Sequence, residues 1–299
     1  MSTSTVCFIG LGNMGHPMAA NLLKNNVKLF VYNRTKEKAD DLLKQGAQWL
    51  NSPSEAFKNA TIVFTMVAND QALTSVTEGP NGILANAKAG CIHVSMSTIS
   101  PKLARELTEK HQAKGVHYIA APVFGRPDVA AQHNLWTCIA GNPEAKKQVE
   151  PLLKFLTQKI YDFGDEPSSV NVVKLTGNFL ILNIVEMLSE AYTFAEKSGV
   201  DPQKVHDFIT DSLFPSPVFK TYGQVILSQT FEPAGFKMKL GLKDIDLLLR
   251  AAEAVRVPLP SAGLLHDRLL AGLAHNRGEM DWSAIALTEL EEAGITRGS

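Results

Sequence analysis

The sequence predicts an α/β protein in which a doubly wound parallel sheet is followed by an all-α domain, the two joined by a long helix. Three observations predict this fold class. An apolar run enters a Gly-x-Gly-x-x-Gly turn at residues 10–15, and strand-like and helix-like segments then alternate to about residue 163. Only helix-period segments follow. We therefore expect domains at residues 1–165 and 166–299.

The glycine turn lies between a strand-like run at residues 5–9 and a helix-like run at residues 14–24. Gly10 permits the tight turn, Gly12 lets the backbone approach a pyrophosphate, and Gly15 lets the helix pack on the strand. The free N–H groups and positive dipole end of the helix would face phosphates, whereas a glycine turn without a ligand is the alternative. The predicted dinucleotide-binding residues of this turn are Gly10, Leu11, Gly12, Asn13, Met14 and Gly15.

A second strand-like run, at residues 27–32, ends in Asn33-Arg34-Thr35. In this fold an acidic residue here accepts hydrogen bonds from the ribose 2′-hydroxyl of NAD, whereas an arginine accommodates the 2′-phosphate of NADP. The guanidinium of Arg34 can pair with phosphate oxygens, and Asn33 and Thr35 add neutral polar groups. The sequence thus favours NADP(H) over NAD(H), and the alternative is that Arg34 is a solvated turn residue.

Further strands are predicted around residues 61–66, 91–95, 118–121, 135–140 and 159–163, with helices among them at 36–44, 101–114 and 143–156. Ligands of such sheets bind beyond the carboxyl ends of the strands. We therefore place Met66 and Val67 at the cofactor edge, together with residues 95–98 and 122–125.

The second part begins with a proline-free run at residues 168–198 and continues with helix-like segments around 203–212, 217–227, 237–255, 262–276 and 282–293. The long run is apolar on much of its circumference, which implies burial on more than one side. One layer of helices would not cover it, so we predict that these domains pack together in a homodimer or homotetramer.

Composition excludes several classes of protein. The 299 residues are 45% hydrophobic and 20% charged, and the net charge of -1 provides no attraction for nucleic acid or an anionic membrane. The N-terminus lacks the pattern of a signal peptide, so we expect a cytoplasmic protein. Cys7, Cys91 and Cys138 lie in apolar runs typical of buried reduced thiols, and no Cys/His spacing predicts a metal site.

Several ordered motifs resemble the β-hydroxyacid dehydrogenase family, which includes 3-hydroxyisobutyrate dehydrogenase and glyoxylate/succinic semialdehyde reductase and is related to 6-phosphogluconate dehydrogenase. The motifs are Gly-Leu-Gly-Asn-Met-Gly at 10–15, Met-Ser-Thr-Ile-Ser-Pro at 96–101, Ala-Pro-Val-Phe-Gly at 121–125, Lys-Leu-Thr-Gly-Asn at 174–178 and Leu-Lys-Asp-Ile at 242–245. The resemblance implies an NADPH-dependent oxidoreductase that interconverts a small aldehyde or keto acid and its hydroxy acid. An imine reductase and a non-catalytic NADP(H)-binding sensor are the alternatives.

Lys174 and Asn178 are four residues apart, so they share one face of the long helix. The resemblance makes Lys174 the proton donor or acceptor of the reaction, and Asn178 the holder of the substrate oxygen or of the lysine head group. A free lysine has a pKa of about 10.4, which suits the acid role. The alternative is a surface lysine in an ion pair.

The resemblance also assigns residues outside this pair. Lys243 would close the cofactor or substrate site, steadied by Asp244, and its alternative is a solvated charge on an amphipathic helix. Thr98 would bind the cofactor and Ser97 the substrate, or both would cap the helix that starts at Pro101.

The substrate loop departs from the family pattern. Many relatives have serine and glycine after the Ala-Pro-Val of this loop, whereas this chain has Phe124, Gly125 and Arg126 after Val123. Phe124 adds an apolar wall, and Arg126 either grips a carboxylate or points to solvent. We expect these four residues to contact the substrate, which would be an aldehyde acid held differently or a less polar carbonyl compound.

Overall fold

The computed structural model describes residues 5–295. Contacts between Cα atoms divide the chain into two compact units, and the division falls between Lys174 and Leu175, inside a long helix. We call these the N-terminal and the C-terminal unit. The predicted domain ranges, 1–165 and 166–299, include terminal residues outside the described part and remain a prediction.

The strands all lie in the N-terminal unit as far as the described residues show. They are β1 (Thr5–Ile9), β2 (Lys28–Tyr32), β3 (Gln48–Trp49), β4 (Ile62–Thr65), β5 (Ile92–Ser95), β6 (His117–Ala120), β7 (Val123–Phe124), β8 (Leu135–Ile139) and β9 (Thr157–Asp162).

Helices connect the strands of the N-terminal unit, one long helix runs from this unit into the C-terminal unit, and further helices form the C-terminal unit. They are α1 (Gly15–Lys24), α2 (Asp40–Lys44), α3 (Ala56–Asn59), α4 (Asp70–Thr77), α5 (Pro101–Gln112), α6 (Pro127–Ala131), α7 (Pro143–Leu153), α8 (Pro167–Lys197), α9 (Pro202–Phe208), α10 (Pro217–Ser228), α11 (Met238–Ala254), α12 (Pro260–Ala274) and α13 (Ala286–Glu292). Short 3₁₀ turns occupy Lys36–Ala39, Pro53–Glu55, Ile83–Asn86 and Trp282–Ile285, and a π-helical turn occupies Ile209–Leu213.

Six strands form one parallel sheet in the order β3-β2-β1-β4-β5-β6. Successive residues of β1 point to opposite faces of this sheet. Val6 and Phe8 pack in one apolar cluster, and Cys7 and Ile9 pack in another. Both faces are therefore covered, as the continuous apolar runs of the sequence require. The predicted doubly wound fold is confirmed.

The last strands differ from their predicted arrangement. β8 and β9 do not extend the main sheet but form a three-stranded sheet with β7, which pairs antiparallel to β8. An antiparallel bridge between Ala120 and Ala140 connects the two sheets. An apolar run predicts a strand but not its partner, and the short β7 carries too little pattern to be predicted.

The C-terminal unit is built from helices in its described part, as predicted. Leu182, Val185, Leu188 and Tyr192 of α8 lie in its apolar core, with side chains from α10, α11, α12 and α13. By length and composition alone, residues 168–197 would suffice to cross a membrane. Because core helices pass the same test and this one carries the buried side chain of Glu186, we treat α8 as a core helix.

Two buried histidines connect α5 to the main sheet. Nδ1 of His111 lies 2.6 Å from the carbonyl oxygen of Leu107 and must carry the proton, so Nε2 accepts. His93 then donates from Nδ1 to His111 Nε2 at 2.9 Å, and Thr65 donates its hydroxyl proton to His93 Nε2 at 2.9 Å. These assignments place every proton in this series of hydrogen bonds, and both imidazoles are neutral.

Protonation of either imidazole would break one of these hydrogen bonds. Burial lowers the pKa of His111 to about 4, and burial together with the charge of His111 holds the pKa of His93 well below its usual range. A histidine whose pKa is depressed in the folded state contributes stability above its unfolded pKa near 6.5. That stability is lost as the pH falls through the folded value.

We expect acid to destabilise the N-terminal unit through this pair. Between pH 6.5 and 4.5 the free energy of unfolding should fall by about 2 kcal/mol on account of His111, since the unfolded chain takes up the proton first. Urea unfolding of a His93→Asn/His111→Gln variant should show a shallower decline over this range. His133→Gln, which removes an exposed imidazole, is the control. An equal slope in the double variant and the wild type would contradict the assignment.

Candidate functional site

The first part of the candidate site lies where the sheet order reverses, between β1 and β4. Gly10 follows β1 with a φ of 98°, and a Cβ placed on it would lie 2.2 Å from the carbonyl oxygen of Met66, which follows β4. No side chain fits there. The backbone after β1 and the backbone after β4 are therefore as close together as their atoms allow. Sheets of this kind bind ligands in the crevice at this point, outside the carboxyl ends of the strands.

The remaining glycines of the turn have different surroundings. A Cβ on Gly15 would lie 1.9 Å from the carbonyl oxygen of Gly10, so the first turn of α1 is packed directly on the β1 end. A Cβ on Gly12 would meet no protein atom within 4 Å. The packing of the protein would thus tolerate a side chain at position 12. The exposed backbone of Gly12 leaves room for a ligand, as expected of the glycine that approaches the pyrophosphate. The first turn of α1 has no acidic residue to repel phosphate.

The loop after β2 is tied to the glycine turn. Asn33 accepts a hydrogen bond on Oδ1 from the Leu11 N–H at 3.0 Å, and its Nδ2 donates to the Thr35 carbonyl at 2.8 Å. Asn33 therefore orders the loop, a use of its amide that the sequence did not reveal. Arg34, in the middle of this loop, is exposed. The residues present fit a dinucleotide, with Arg34 placed on the loop that would meet its ribose.

The ends of β4 and β5 are also joined. The buried Ser97 accepts a hydrogen bond on its hydroxyl oxygen from the Val67 N–H at 2.8 Å. Ser100 caps α5 by accepting from the Leu103 N–H at 3.0 Å, and its own N–H donates to Asp70 at 2.9 Å. These bonds hold the segments that follow adjacent strands at one edge, where Met66, Val67, Ser97 and Thr98 were predicted to lie.

The predicted proton-transfer residue and the departing loop lie together. Lys174, on α8, is only 9% exposed, and its Nζ is 4.1 Å from the centroid of the Phe124 ring, which belongs to β7. The charge of Lys174 also acts on Cys138 of β8, where burial raises the pKa of the thiol and the lysine lowers it in part. Lys174 is thus a buried cation, not an exposed surface lysine.

The rest of the predicted substrate loop surrounds this contact. Val123 is buried and pairs with Thr137 across the small sheet. Gly125 is exposed, with a φ of 137°. Arg126, which is half-buried, stands at the N-cap position of α6.

Asn178 begins a second group of polar residues, in the C-terminal unit. Its Nδ2 donates to Oδ2 of Asp244 at 2.6 Å, and Lys243 Nζ lies 2.7 Å from the other oxygen of the same carboxylate. Asn178 and Asp244 are buried. The expected support of Lys243 by Asp244 is present. The sequence did not predict the hydrogen bond from Asn178 to Asp244. The Lys243-Asp244 pair was the only sign that Asp244 belongs to this group.

A group of carboxylates elsewhere in the C-terminal unit has the spacing of metal ligands. Oxygen atoms of Glu186, Glu190 and Glu289 lie within 4.8 Å of one another. Arg268 donates from Nε to Glu186 at 2.8 Å and also pairs with Glu289. Burial raises the pKa of Glu186 to about 7, with the hydrogen bond from Arg268 opposing it. The cation of this cluster is the arginine, so we assign it a structural role.

Two family models match the chain. The NAD binding domain of 6-phosphogluconate dehydrogenase matches residues 5–164, and the NAD-binding domain of NADP-dependent 3-hydroxyisobutyrate dehydrogenase matches residues 169–288. The two models together account for both units.

Individual relatives match over almost their full length. An uncharacterized oxidoreductase of Bacillus subtilis is 45% identical over 94% of this chain and 98% of its own. The 2-hydroxy-3-oxopropionate reductase of Escherichia coli is 30% identical over 93% of this chain and 94% of its own. Among solved structures, Psf3 in complex with NADP+ and 2-OPP has a TM-score of 0.85 and 26% identity, covering 95% of this chain and 99% of that one.

Proposed function

Because the chain belongs to the β-hydroxyacid dehydrogenase family, we propose that it interconverts a small aldehyde or keto acid and its hydroxy acid, with Lys174 transferring the proton. The coarser prediction, an NAD(P)-dependent oxidoreductase acting on CH–OH groups, is confirmed by these matches. The observation that supports the finer proposal is a lysine buried beside the substrate loop.

The proton chemistry follows from the position of Lys174. When bound, the nicotinamide supplies the hydride that reduces the carbonyl carbon, or accepts it in reverse. As the C=O double bond becomes a single bond, negative charge develops on the oxygen. The Lys174 ammonium donates one proton to that oxygen and is left as a neutral amine, which takes a proton from solvent before the next turnover. In the oxidative direction the neutral amine accepts the hydroxyl proton.

The polar group around Asn178 is proposed to assist. Its amide donates to Asp244 at 2.6 Å, and this hydrogen bond fixes the orientation of the side chain. We propose that Asn178 orients the substrate oxygen or the lysine head group, and that Lys243 contributes a positive charge to cofactor binding. The ion pair with Asp244 holds the side chain of Lys243 in place.

Lys174→Met should abolish most of the turnover while leaving nucleotide binding intact. The substrate is first found by screening aldehydes, keto acids and cyclic imines through the loss of NADPH absorbance. Loss of the proton donor should then lower kcat by roughly a hundredfold or more. NADPH affinity, measured by its fluorescence on binding, should stay within a factor of about two.

Lys197→Met provides a matched control, because it removes an exposed lysine from the end of the same helix. Its turnover should equal that of the wild type. Turnover by Lys174→Met at the wild-type rate would refute the role of Lys174, and a screen in which only imines react would refute the substrate class.

The cofactor preference is the second proposal. Cofactors of the NAD(P) type are established by the family models, and we propose that NADP(H) is preferred through Arg34. The exposed guanidinium follows Asn33, whose hydrogen bonds fix the start of the loop. A charged pair between Arg34 and the 2′-phosphate would discriminate against NAD(H), which has no such group to pair.

Arg34→Asp should reverse this preference. Replacing the cation by an anion should reduce kcat/KM with NADPH by about 10- to 100-fold, the range expected for losing a charged hydrogen-bond pair, and affect NADH little. Steady-state kinetics with both cofactors measure the change. Arg105→Asp makes the same charge change at an exposed site on α5 and should alter neither value. Equal efficiency with both cofactors in wild type and variant would rule out the proposal.

We also propose that the protein is cytoplasmic and assembles as a homodimer or homotetramer through its helical unit. On α8, Leu180, Met187 and Phe194 recur every seven residues and are 55%, 52% and 74% exposed. A seven-residue spacing places them on one face of the helix. A second copy of the same helix offers a face of matching shape and chemistry, as a two-fold interface requires.

Leu180→Glu/Met187→Glu should dissociate the assembly. Burying two unpaired carboxylates costs about 3 kcal/mol or more, which weakens association by at least about a hundredfold. Sedimentation velocity at micromolar concentration measures the change. Val255→Glu, an exposed apolar residue at the end of α11, should leave the assembly unchanged. A monomeric wild type, or a double variant that sediments like the wild type, would contradict the proposal.

A further inference from the structure

We propose that Phe124 is a positioning residue that holds the ammonium group of Lys174 against the face of its ring and so favours the protonated form. This inference rests on the proposed role of Lys174 in proton transfer. It gives the aromatic side chain, which replaces the serine of many relatives, an electrostatic task beyond that of an apolar wall.

The contact is within the range of a strong cation–π interaction. Lys174 Nζ is 4.1 Å from the ring centroid, against a limit near 6 Å for such pairs. The contacts of Lys28, Lys36 and Lys159 with aromatic rings are longer, at 4.8 to 5.7 Å. Desolvation strengthens the attraction, and Lys174 is 9% exposed. The ring therefore offsets part of the cost of burying this charge.

Strand pairing determines where the ring lies. Phe124 of β7 is directly opposite Trp136 of β8, so the two side chains project from one face of the small sheet, and Cys138, two residues further along β8, projects from the same face. The charge of Lys174 acts on the Cys138 thiol. The contact with the Phe124 ring thus places the ammonium over this face of the sheet. The face itself is held by the pairing of β7 with β8.

Several titratable groups lie on the elements around the start of α8. Burial raises the pKa of both Cys138 and Tyr118, so the thiol and the phenol are neutral at physiological pH. Asp70 of α4 is engaged by Ser100. Arg126 lies two residues after Phe124. The ring is accordingly a stabilising partner that carries no net charge and cannot itself take the proton from Lys174.

This choice of partner has a chemical consequence. A carboxylate that pairs with a lysine accepts hydrogen bonds from its ammonium protons. An aromatic face attracts the cation without occupying its N–H groups in strong hydrogen bonds. Phe124 would therefore stabilise the charged form of Lys174 without using its protons, which favours reduction of the carbonyl at neutral and mildly alkaline pH.

The test compares variants that lose the ring with one that keeps it. Phe124→Leu and Phe124→Met retain an apolar side chain without a π face, and Phe124→Trp retains the face. The protonation of Lys174 is read without cofactor or substrate, by trace labelling with isotopic acetic anhydride across pH and mass spectrometry of the Lys174 peptide. Loss of the ring should change the protonation equilibrium by about 2- to 30-fold, which moves the labelling midpoint roughly 0.4 to 1.5 pH units downward.

The same variants are assayed for turnover across pH. The alkaline limb of the reductive kcat profile should move downward in Phe124→Leu and Phe124→Met and stay in place in Phe124→Trp. Phe208→Leu is the matched control, because it removes an exposed ring at the end of α9 and should leave both readings for Lys174 unchanged. Having two ringless variants guards against one that fails to fold.

Three results would overturn the inference. The labelling midpoint could stay unchanged in both ringless variants, or move equally in Phe124→Trp, or move equally in Phe208→Leu. Failure of the proposed function is a different outcome. If Lys174→Met keeps its turnover while ring removal still shifts the labelling of Lys174, the cation–π contact stands and the catalytic role falls.

Discussion

The rest of the structure depends on the close approach of backbone atoms where β1, β4 and α1 meet. A side chain at Gly10 would overlap the carbonyl oxygen of Met66, and one at Gly15 would overlap the carbonyl oxygen of Gly10. The strand ends and the first turn of α1 can therefore come together only with glycine at both positions. This packing directs the N–H groups of α1 and the neighbouring strand ends toward one edge of the sheet, where a dinucleotide can be bound.

Several polar groups at this edge form hydrogen bonds with one another or with the backbone. Asn33 forms hydrogen bonds with the backbone through both its amide oxygen and its amide nitrogen. Ser97 joins the ends of β4 and β5, and Ser100 donates its N–H to Asp70. Behind the edge, the buried chain from Thr65 through His93 and His111 continues the same pattern into α5. Such networks make a rigid frame, so the binding edge is pre-organised and a ligand need not order it.

The chemistry proposed for this frame depends on a buried charge. Lys174 lies beside Phe124 and Cys138, which hold no formal charge, while Asn178 is oriented by the Asp244 carboxylate. We propose that the ring stabilises the charge of Lys174, and the carboxylate accepts a hydrogen bond from the amide of Asn178. These different environments suit different tasks, since a proton donor must stay available to the substrate and an orienting group must stay still.

The sequence by itself determined the glycine turn, the alternation of strands and helices, the long α8 and the spacing of Lys174 and Asn178, because each follows from local conformational preference or periodicity. Only the tertiary structure decided which strands pair and which distant side chains meet. The Phe124–Lys174 contact requires the pairing of β7 with β8, and Asn178 meets Asp244 across 66 residues of chain. Periodicity assigns a residue to a face of its element, whereas packing alone determines what lies against that face.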